Sequence, residues 1–296
     1  SFSDIEKVKA LQKIFQLMDS DTEWGEDKGN SAKNYDEGEP RRELIEAKTE
    51  LIKVISHRGN KVENLGSQQD ASDFINSLLD TINEVGKSIR KIGLISNLYR
   101  GVETIDTYCK MKGSTHIVLN EPKEQPFDLI TLPFNNKINI TEAMKEREKE
   151  EQISPDDDTG KKFEKCDDLS FTDAEYNSYH KTSLTIPENN KYIIISLNRF
   201  ESTSNNQLVE RVNDPNFSVD HKVKIDGKKF SLIGAVLHHG RTTNSGHYIY
   251  QTYNNNGEVK NTYDDDKLET SANNTNNMTL NLNSYVLLYK RVEGEA

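Results

Sequence analysis

The sequence is short of what several protein classes require. It has only two cysteines in 296 residues, which excludes a disulfide-built scaffold and fits a reducing compartment. Basic residues are outnumbered, 38 Lys and Arg against 49 Asp and Glu, for a formal charge of −11. A general nucleic-acid binder needs a basic face to neutralise phosphates, so that class is not expected. No apolar run is long enough to span a bilayer, and "SFSDIEKVKAL" lacks the shape of a signal peptide. Membrane attachment is therefore not expected, and an intracellular protein of cytoplasm or nucleus is. Hydrophobic residues make up only 33% and charged residues 29%, which places the polar surplus in loops and insertions. An acidic surface suits a basic partner, but solubility alone accounts for it.

What is present divides into helices first and strands second. "SDIEKVKALQKIFQLM" opens on a capping box, Ser3 with Glu6, followed by Ile5, Val8, Leu11, Phe15 and Met18 at helical spacing. Residues 19–40 are acidic, Gly-rich and aperiodic, and read as a loop. "RRELIEAKTELIKVISH" is a second amphipathic helix. "SQQDASDFINSLLDTINEV" is a third, with Ser67 as its cap and Phe74, Ile75, Leu78, Leu79 and Ile82 as its core stripe. Beyond residue 92 come short β-branched runs, "IGLISNLYRG", "THIVLN" and "FDLITLPF". Residues 141–180 interrupt them with an exposed helix and a polar loop. "KYIIISLNRF" is the strongest buried strand, and "KKFSLIGAVLHHG", "GHYIYQTY", "GEVKNTY" and "NSYVLLYKRV" form an antiparallel set. The Asn-rich "SANNTNNMTLNLN" reads as a surface loop. Helices followed by sheet is the α+β pattern.

One histidine stands out. His247 heads a strand after a small, flexible Asn-Ser-Gly lead-in. "HYIYQTY" and "EVKNTYD" flank "NNNG", whose Asn and Gly tolerate the positive φ of hairpin turns. A loop centred between Asn255 and Asn256 sets His247 opposite Asp264; a two-residue Asn256-Gly257 turn sets it opposite Asp266. Either way a carboxylate lies beside the imidazole on one sheet face, where it fixes the tautomer and stabilises an imidazolium.

Five ordered segments together resemble the ubiquitin-specific proteases, a family of papain-like cysteine deubiquitinases. "GSQQDASDFINSLLD" is similar to the family's Gln-Gln-Asp-Ala helix. "TIPENNKYIIISLNRFE" resembles its proline-led strand ending in Leu-x-Arg-Phe. "LIGAVLHHGRTTNSGHYIYQTY" is similar to its histidine box, "NTYDDDKLE" to its aromatic-Asp-Asp segment and "SYVLLYKR" to its closing strand. The resemblance implies one catalytic domain over 1–296, in an α+β papain-like fold. It divides into a helical thumb (about 1–90), β-ribbon fingers with a polar insertion (about 91–180) and an antiparallel-sheet palm (about 181–296). It assigns His247 as general base, Asp264 as its orienting carboxylate, which selects the first hairpin register, and Asp265 as a supporting acid. It further implies a tail-binding set for ubiquitin or a ubiquitin-like protein: Gln69, Asp70, His239, Gly240, Gly246 and Tyr248. A monomer without cofactor is expected.

The family's nucleophile is absent from the sequence. The Gly-Asn-Thr-Cys box that carries it has no counterpart, and "SFSDIEKVKALQKIF" resembles what normally follows that box. The nucleophilic cysteine is therefore expected just upstream of Ser1, and this chain alone is expected to be inactive. Gly29-Asn30-Ser31 echoes the box with Ala32 in the cysteine's place, but "KNYDEGEP" cannot continue an apolar helix. Cys109 matches the first half of the family's zinc ribbon, where Lys112 stands in place of its partner; Cys166 roughly matches the second half and is also alone. Four ligands are needed for structural zinc. Even with His116 or His180 added, no metal is expected, and both cysteines are read as ordinary thiols.

Overall fold

The computed structural model describes residues 70–88, 96–111, 113, 117–119, 121–134, 139–153, 176–202, 209–211, 216–242, 245–265, 267–270 and 277–292, with single positions at 9, 46 and 49. The first two helices expected from sequence, the 19–40 loop, Gln69, Ala32, Lys112, His116 and Cys166 lie outside the described residues.

Two sheets organise the rest. The smaller is built from β1 (Gly101–Met111), β2 (Ile117–Leu119), β3 (Lys123–Phe127), β5 (Glu151–Ile153) and β6 (Tyr176–Thr185). Its spine is the long antiparallel pair β1–β6, running from Val102 opposite Thr185 to Met111 opposite Tyr176. The larger has ten strands: β4 (Ile130–Pro133), β7 (Tyr192–Asn198), β8 (Phe200–Ser202), β9 (Val209–Arg211), β10 (Lys222–Ile225), β11 (Lys228–Thr242), β12 (Ser245–Tyr253), β13 (Val259–Asp264), β14 (Lys267–Thr270) and β15 (Ser284–Arg291). Its main path runs β14-β13-β12-β11-β15-β7-β4. Among the described strands every pairing is antiparallel except β4 with β7, which is parallel. The chain thus visits the larger sheet at β4 and returns to the smaller for β5 and β6.

The apolar strands read from sequence fill one core. Leu132, Ile195, Leu197, Leu237 and Leu287 are fully buried in a single cluster with Ile130, Ile193, Phe230 and Tyr289. Each such side chain contributes about 1.5–3 kcal/mol by leaving water. Helix α2 (Ile140–Arg147) starts at Asn139, whose side chain accepts from the Glu142 N–H at 2.9 Å. The helix expected here to be exposed instead buries Ile140, Ala143 and Met144 in that core. Its apolar residues at i, i+3 and i+4 give it a face to bury.

Two sequence readings are corrected by packing. The described part of "IGLISNLYRG" is a 3-10 turn over Ser96–Leu98, not a strand. The Asn-rich stretch holds helix α3 (Asn277–Asn283), with Leu280 buried. Its propensity is poor, but Arg199, itself buried, donates to the carbonyls of Leu282 at 3.1 Å and Asn281 at 2.5 Å. A cation on the last carbonyls of a helix satisfies orphan acceptors and complements the dipole. The same guanidinium lies 3.9 Å from the centroid of the Phe134 ring.

Helix α1 (Ala71–Ser88) is capped by Asp70, not Ser67. Asp70 Oδ1 accepts from the N–H groups of Ser72 at 2.8 Å and Asp73 at 3.1 Å, the N2 and N3 donors of a helix that starts at Ala71. Of the expected stripe, Leu79 is buried while Phe74 is exposed. The helix is tied to the start of β1 through Asp128. That carboxylate takes both Nε and a terminal nitrogen of Arg100 at 2.7 Å and the Asn83 amide at 2.8 Å.

Candidate active site

The loop of the hairpin that presents His247 is neither of the two anticipated. Its loop is Asn255-Asn256-Gly257: the Gly257 N–H donates to Asn254 O at 3.0 Å and the Asn254 N–H to Glu258 O at 2.9 Å. Asn254 Oδ1 braces it by accepting from the N–H groups of Asn256 and Glu258, each at 3.0 Å. Gly257 has φ +82°, and a Cβ there would lie 2.8 Å from the His221 ring. Beyond the turn Tyr253 faces Val259, but Thr252 faces Asn261, so Lys260 is an extra residue on β13. The ladder then runs through Gln251–Thr262 to Tyr250–Tyr263. This is the register of the Asn256-Gly257 alternative, not the one that the resemblance selects.

His247 nevertheless meets Asp264. Its Nε2 lies 2.5 Å from Asp264 Oδ1. With Tyr263 opposite Tyr250, Asp264 falls opposite Ile249, two residues from His247 and on the same face. The pair is a diagonal neighbour rather than a direct one, within reach of a long side chain. Both side chains stay open to solvent, 45% and 41% exposed, so the pairing orients the ring more than it stabilises the fold. Asp265 follows in the turn to β14, exposed and with φ +53°. One ligand atom from each of His247, Asp264 and Asp265 lies within 4.8 Å of the others, the one such trio among the described residues. Exposed acidic groups gather in this way without an ion, and nothing else at the trio points to one.

The other tail-binding candidates surround this pair. His239 is the direct cross-strand partner of His247 on β11. The ladder is then irregular up to Thr242–Ser245, whose hydroxyls lie 2.7 Å apart. Gly240 and Gly246 are where the two strands pass closest. A Cβ on Gly240 would stand 2.3 Å from Ser245 O, and one on Gly246, at φ +148°, 2.7 Å from His239 O. Only glycine fits both positions. Tyr248 lies deeper, where burial first and the Asp70 carboxylate second push its hydroxyl up to about 12. Asp70 is engaged on both oxygens: Oδ1 caps α1 and Oδ2 accepts from the Tyr285 hydroxyl. The motifs quoted from sequence contained Tyr285, His238 and Phe200 without giving them a role. They form an aromatic cluster directly behind the His247 strand.

Cys109 is elsewhere. It sits on β1 of the smaller sheet, buried, opposite Ser178 of β6. It is disulfide-bonded, which corrects its reading as an ordinary thiol and leaves it no thiolate to offer. The chain holds one other cysteine, Cys166.

The sequence matches the family described as ubiquitin carboxyl-terminal hydrolase over residues 3–289. No curated protein matches it. Among solved structures it is similar to the SAGA Ubp8/Sgf11/Sus1/Sgf73 DUB module bound to ubiquitin aldehyde, at TM-score 0.62 and 16% identity over 84% of this chain and 55% of that one. A second structure, the Ubp8-Sgf11-Sgf73-Sus1 SAGA DUB module, gives TM-score 0.62 and 16% identity over 97% of this chain and 57% of that one. A yeast SAGA module with a substituted Sgf73 gives 0.60 and 16% over 86% and 54%. The chain therefore spans a little over half the length of these neighbours, and at this identity they show a shared fold. That fold is the mixed α+β architecture of the ubiquitin-specific proteases. With the family match spanning nearly all of its length, the chain belongs to the ubiquitin carboxyl-terminal hydrolase family.

Proposed function

We propose that the intact protein is a thiol hydrolase that cuts the bond after the C-terminal glycine of ubiquitin or a ubiquitin-like protein, with His247 as general base. The observation that carries this reading is the His247–Asp264 pair in a chain of this family. Because Nε2 faces Asp264, Nδ1 is the nitrogen left for proton transfer. The attacking thiolate belongs to the family's Gly-Asn-Thr-Cys box, which this sequence does not contain. Nδ1 takes the thiol proton, and the sulfur adds to the glycine carbonyl. The imidazolium then protonates the departing lysine amine, leaving a thioester that water hydrolyses. Asp264 holds the ring and stabilises its charged form throughout. Asp265 supports it, and Gly240 and Gly246 leave room for a substrate tail to approach the backbone.

The test uses ubiquitin carrying a C-terminal electrophile. The intact protein should be labelled, and His247→Ala should abolish labelling; a fully labelled His247→Ala protein sinks the assignment. Asp264→Asn should slow turnover by about 10²–10⁴-fold.

A second reading is a ubiquitin-binding protein that does not cut. It is favoured by the lack of a free thiol among the described residues, where Cys109 is buried on the smaller sheet and disulfide-bonded. Ubiquitin binding by the intact protein, with no labelling and no cleavage, would select it.

A further inference from the structure

The two residues that flank His247 rest on the same buried ring. Gly246 lies over His238: a Cβ built on Gly246 would come 2.5 Å from His238 Nε2. Tyr248 packs its ring on the same imidazole, with centroids 4.5 Å apart and planes inclined by 36°. Gly240, at the other side of the close strand approach, is also set against it: its Cβ would come 2.7 Å from His238 Cε1. His238 is 1% exposed. It therefore sits beneath the backbone segment whose middle residue projects the catalytic imidazole to the opposite face.

His238 is itself held. Phe200 meets it edge-on at 5.6 Å and Tyr285 lies at 6.2 Å. Phe200 and Tyr285 meet at 5.6 Å, nearly perpendicular, which closes the box. The Tyr285 hydroxyl then donates to Asp70 Oδ2, whose other oxygen caps α1. A contiguous path of packed rings and one charge-assisted hydrogen bond thus joins the first turn of α1 to the backbone at Gly246 and Tyr248.

We propose that His238 is a positioning residue for His247, seating the 246–248 backbone so that the imidazole meets Asp264, with Tyr285 locking that seat to the N-terminus of α1. This rests on the reading of His247 as the general base. A bulged, glycine-bearing strand end has no stiffness of its own. His247 and Asp264 meet as diagonal partners at the solvent-exposed end of a hairpin, where a small backbone shift breaks the contact. The buried ring supplies the missing rigidity from behind.

The experiment combines kinetics of the intact enzyme with histidine-selective ¹⁵N spectra, the His247 signals being identified by their loss in His247→Gln. In its neutral form the wild-type His247 ring should show one tautomer, with the proton on Nε2, the nitrogen that faces Asp264. His238→Ala should average the two tautomers and lower kcat by about 100-fold while leaving KM within about threefold, the pattern of a misplaced rather than missing group. Tyr285→Phe keeps the ring and removes the bond to Asp70; it should lower kcat by about fivefold. A folded His238→Ala protein with the wild-type tautomer and kcat overturns the proposal, as does a change confined to KM. Should His238→Ala fail to fold, Tyr285→Phe decides: wild-type kcat and spectra there overturn it. If His247→Gln itself keeps full turnover, the general-base reading has failed instead, and the tautomer spectra still report whether His238 seats the ring.

Discussion

The two sheets are held together by different means. The larger sheet closes over a continuous apolar cluster, with Leu132, Ile195, Leu237 and Leu287 out of contact with water. The smaller is stapled through polar and aromatic groups. Tyr108 stacks on Tyr179 at 5.9 Å, Lys110 lies 4.7 Å above the Tyr179 ring, and Glu150 takes both the Tyr108 hydroxyl and, at 2.5 Å, the Lys110 ammonium. At its base the buried Glu103 accepts from Arg147 and Gln125. Apolar packing is stiff and indifferent to pH, whereas an exposed network of charges and rings is neither. The histidine and its carboxylate are mounted on the sheet with the apolar core, at the exposed end of one of its hairpins.

The contrast can be broken at its strong end first. Leu287→Ala removes a fully buried side chain from the strand between β11 and β7, and should cost about 2–5 kcal/mol in denaturant unfolding. Tyr179→Ala should cost about 1 kcal/mol or a little more, with faster amide exchange confined to β1 and β6. Equal losses from the two substitutions would erase the distinction between the sheets. The smallest effect is acidification. Hydrogen bonds from Lys110 and Tyr108 hold the Glu150 carboxyl below its ordinary value of 4.5. A depressed carboxyl stabilises the fold above its unfolded value and loses that contribution as pH falls through the folded one. Exchange in β1 and β6 should therefore rise below pH 4.5, ahead of any change in β7 or β15.

How far each region could be read from sequence follows the same division. Strands β7, β11, β12, β13 and β15 were legible because burial on an apolar core writes itself as β-branched runs. The ribbon was legible only in part: "THIVLN" contains β2, but "GVETIDTYCKM" and "YNSYHKTSLT" carry too many polar residues to read as strands, since their partners are rings and charges rather than a core. Helix α3 was hidden because a distant arginine, not its own Asn-rich residues, holds its last turn. At the site, His247 and Asp264 were both named, but of the two registers offered the structure takes the one that the resemblance did not select. Lys260, one extra residue on β13, has no signature in composition or spacing. Asp70 was legible as part of a motif but not as the cap it is, because Ser67 offered an equally good capping residue three positions earlier.

The position of β15 has a consequence for how the chain is made. In the larger sheet β15 lies between β11 and β7, yet β7 and β11 are both synthesised before it. Until it emerges, those two strands have no shared neighbour, and the buried Arg199 lacks the carbonyls of Asn281 and Leu282 and the hydroxyl of Ser284 that it binds. Strands β10 to β14, which carry His247, can pair in order as they emerge, but their join to β7 and β4 waits for β15. The last strand made is thus the one that joins the two halves of the sheet, a long-range pairing of the kind that forms late.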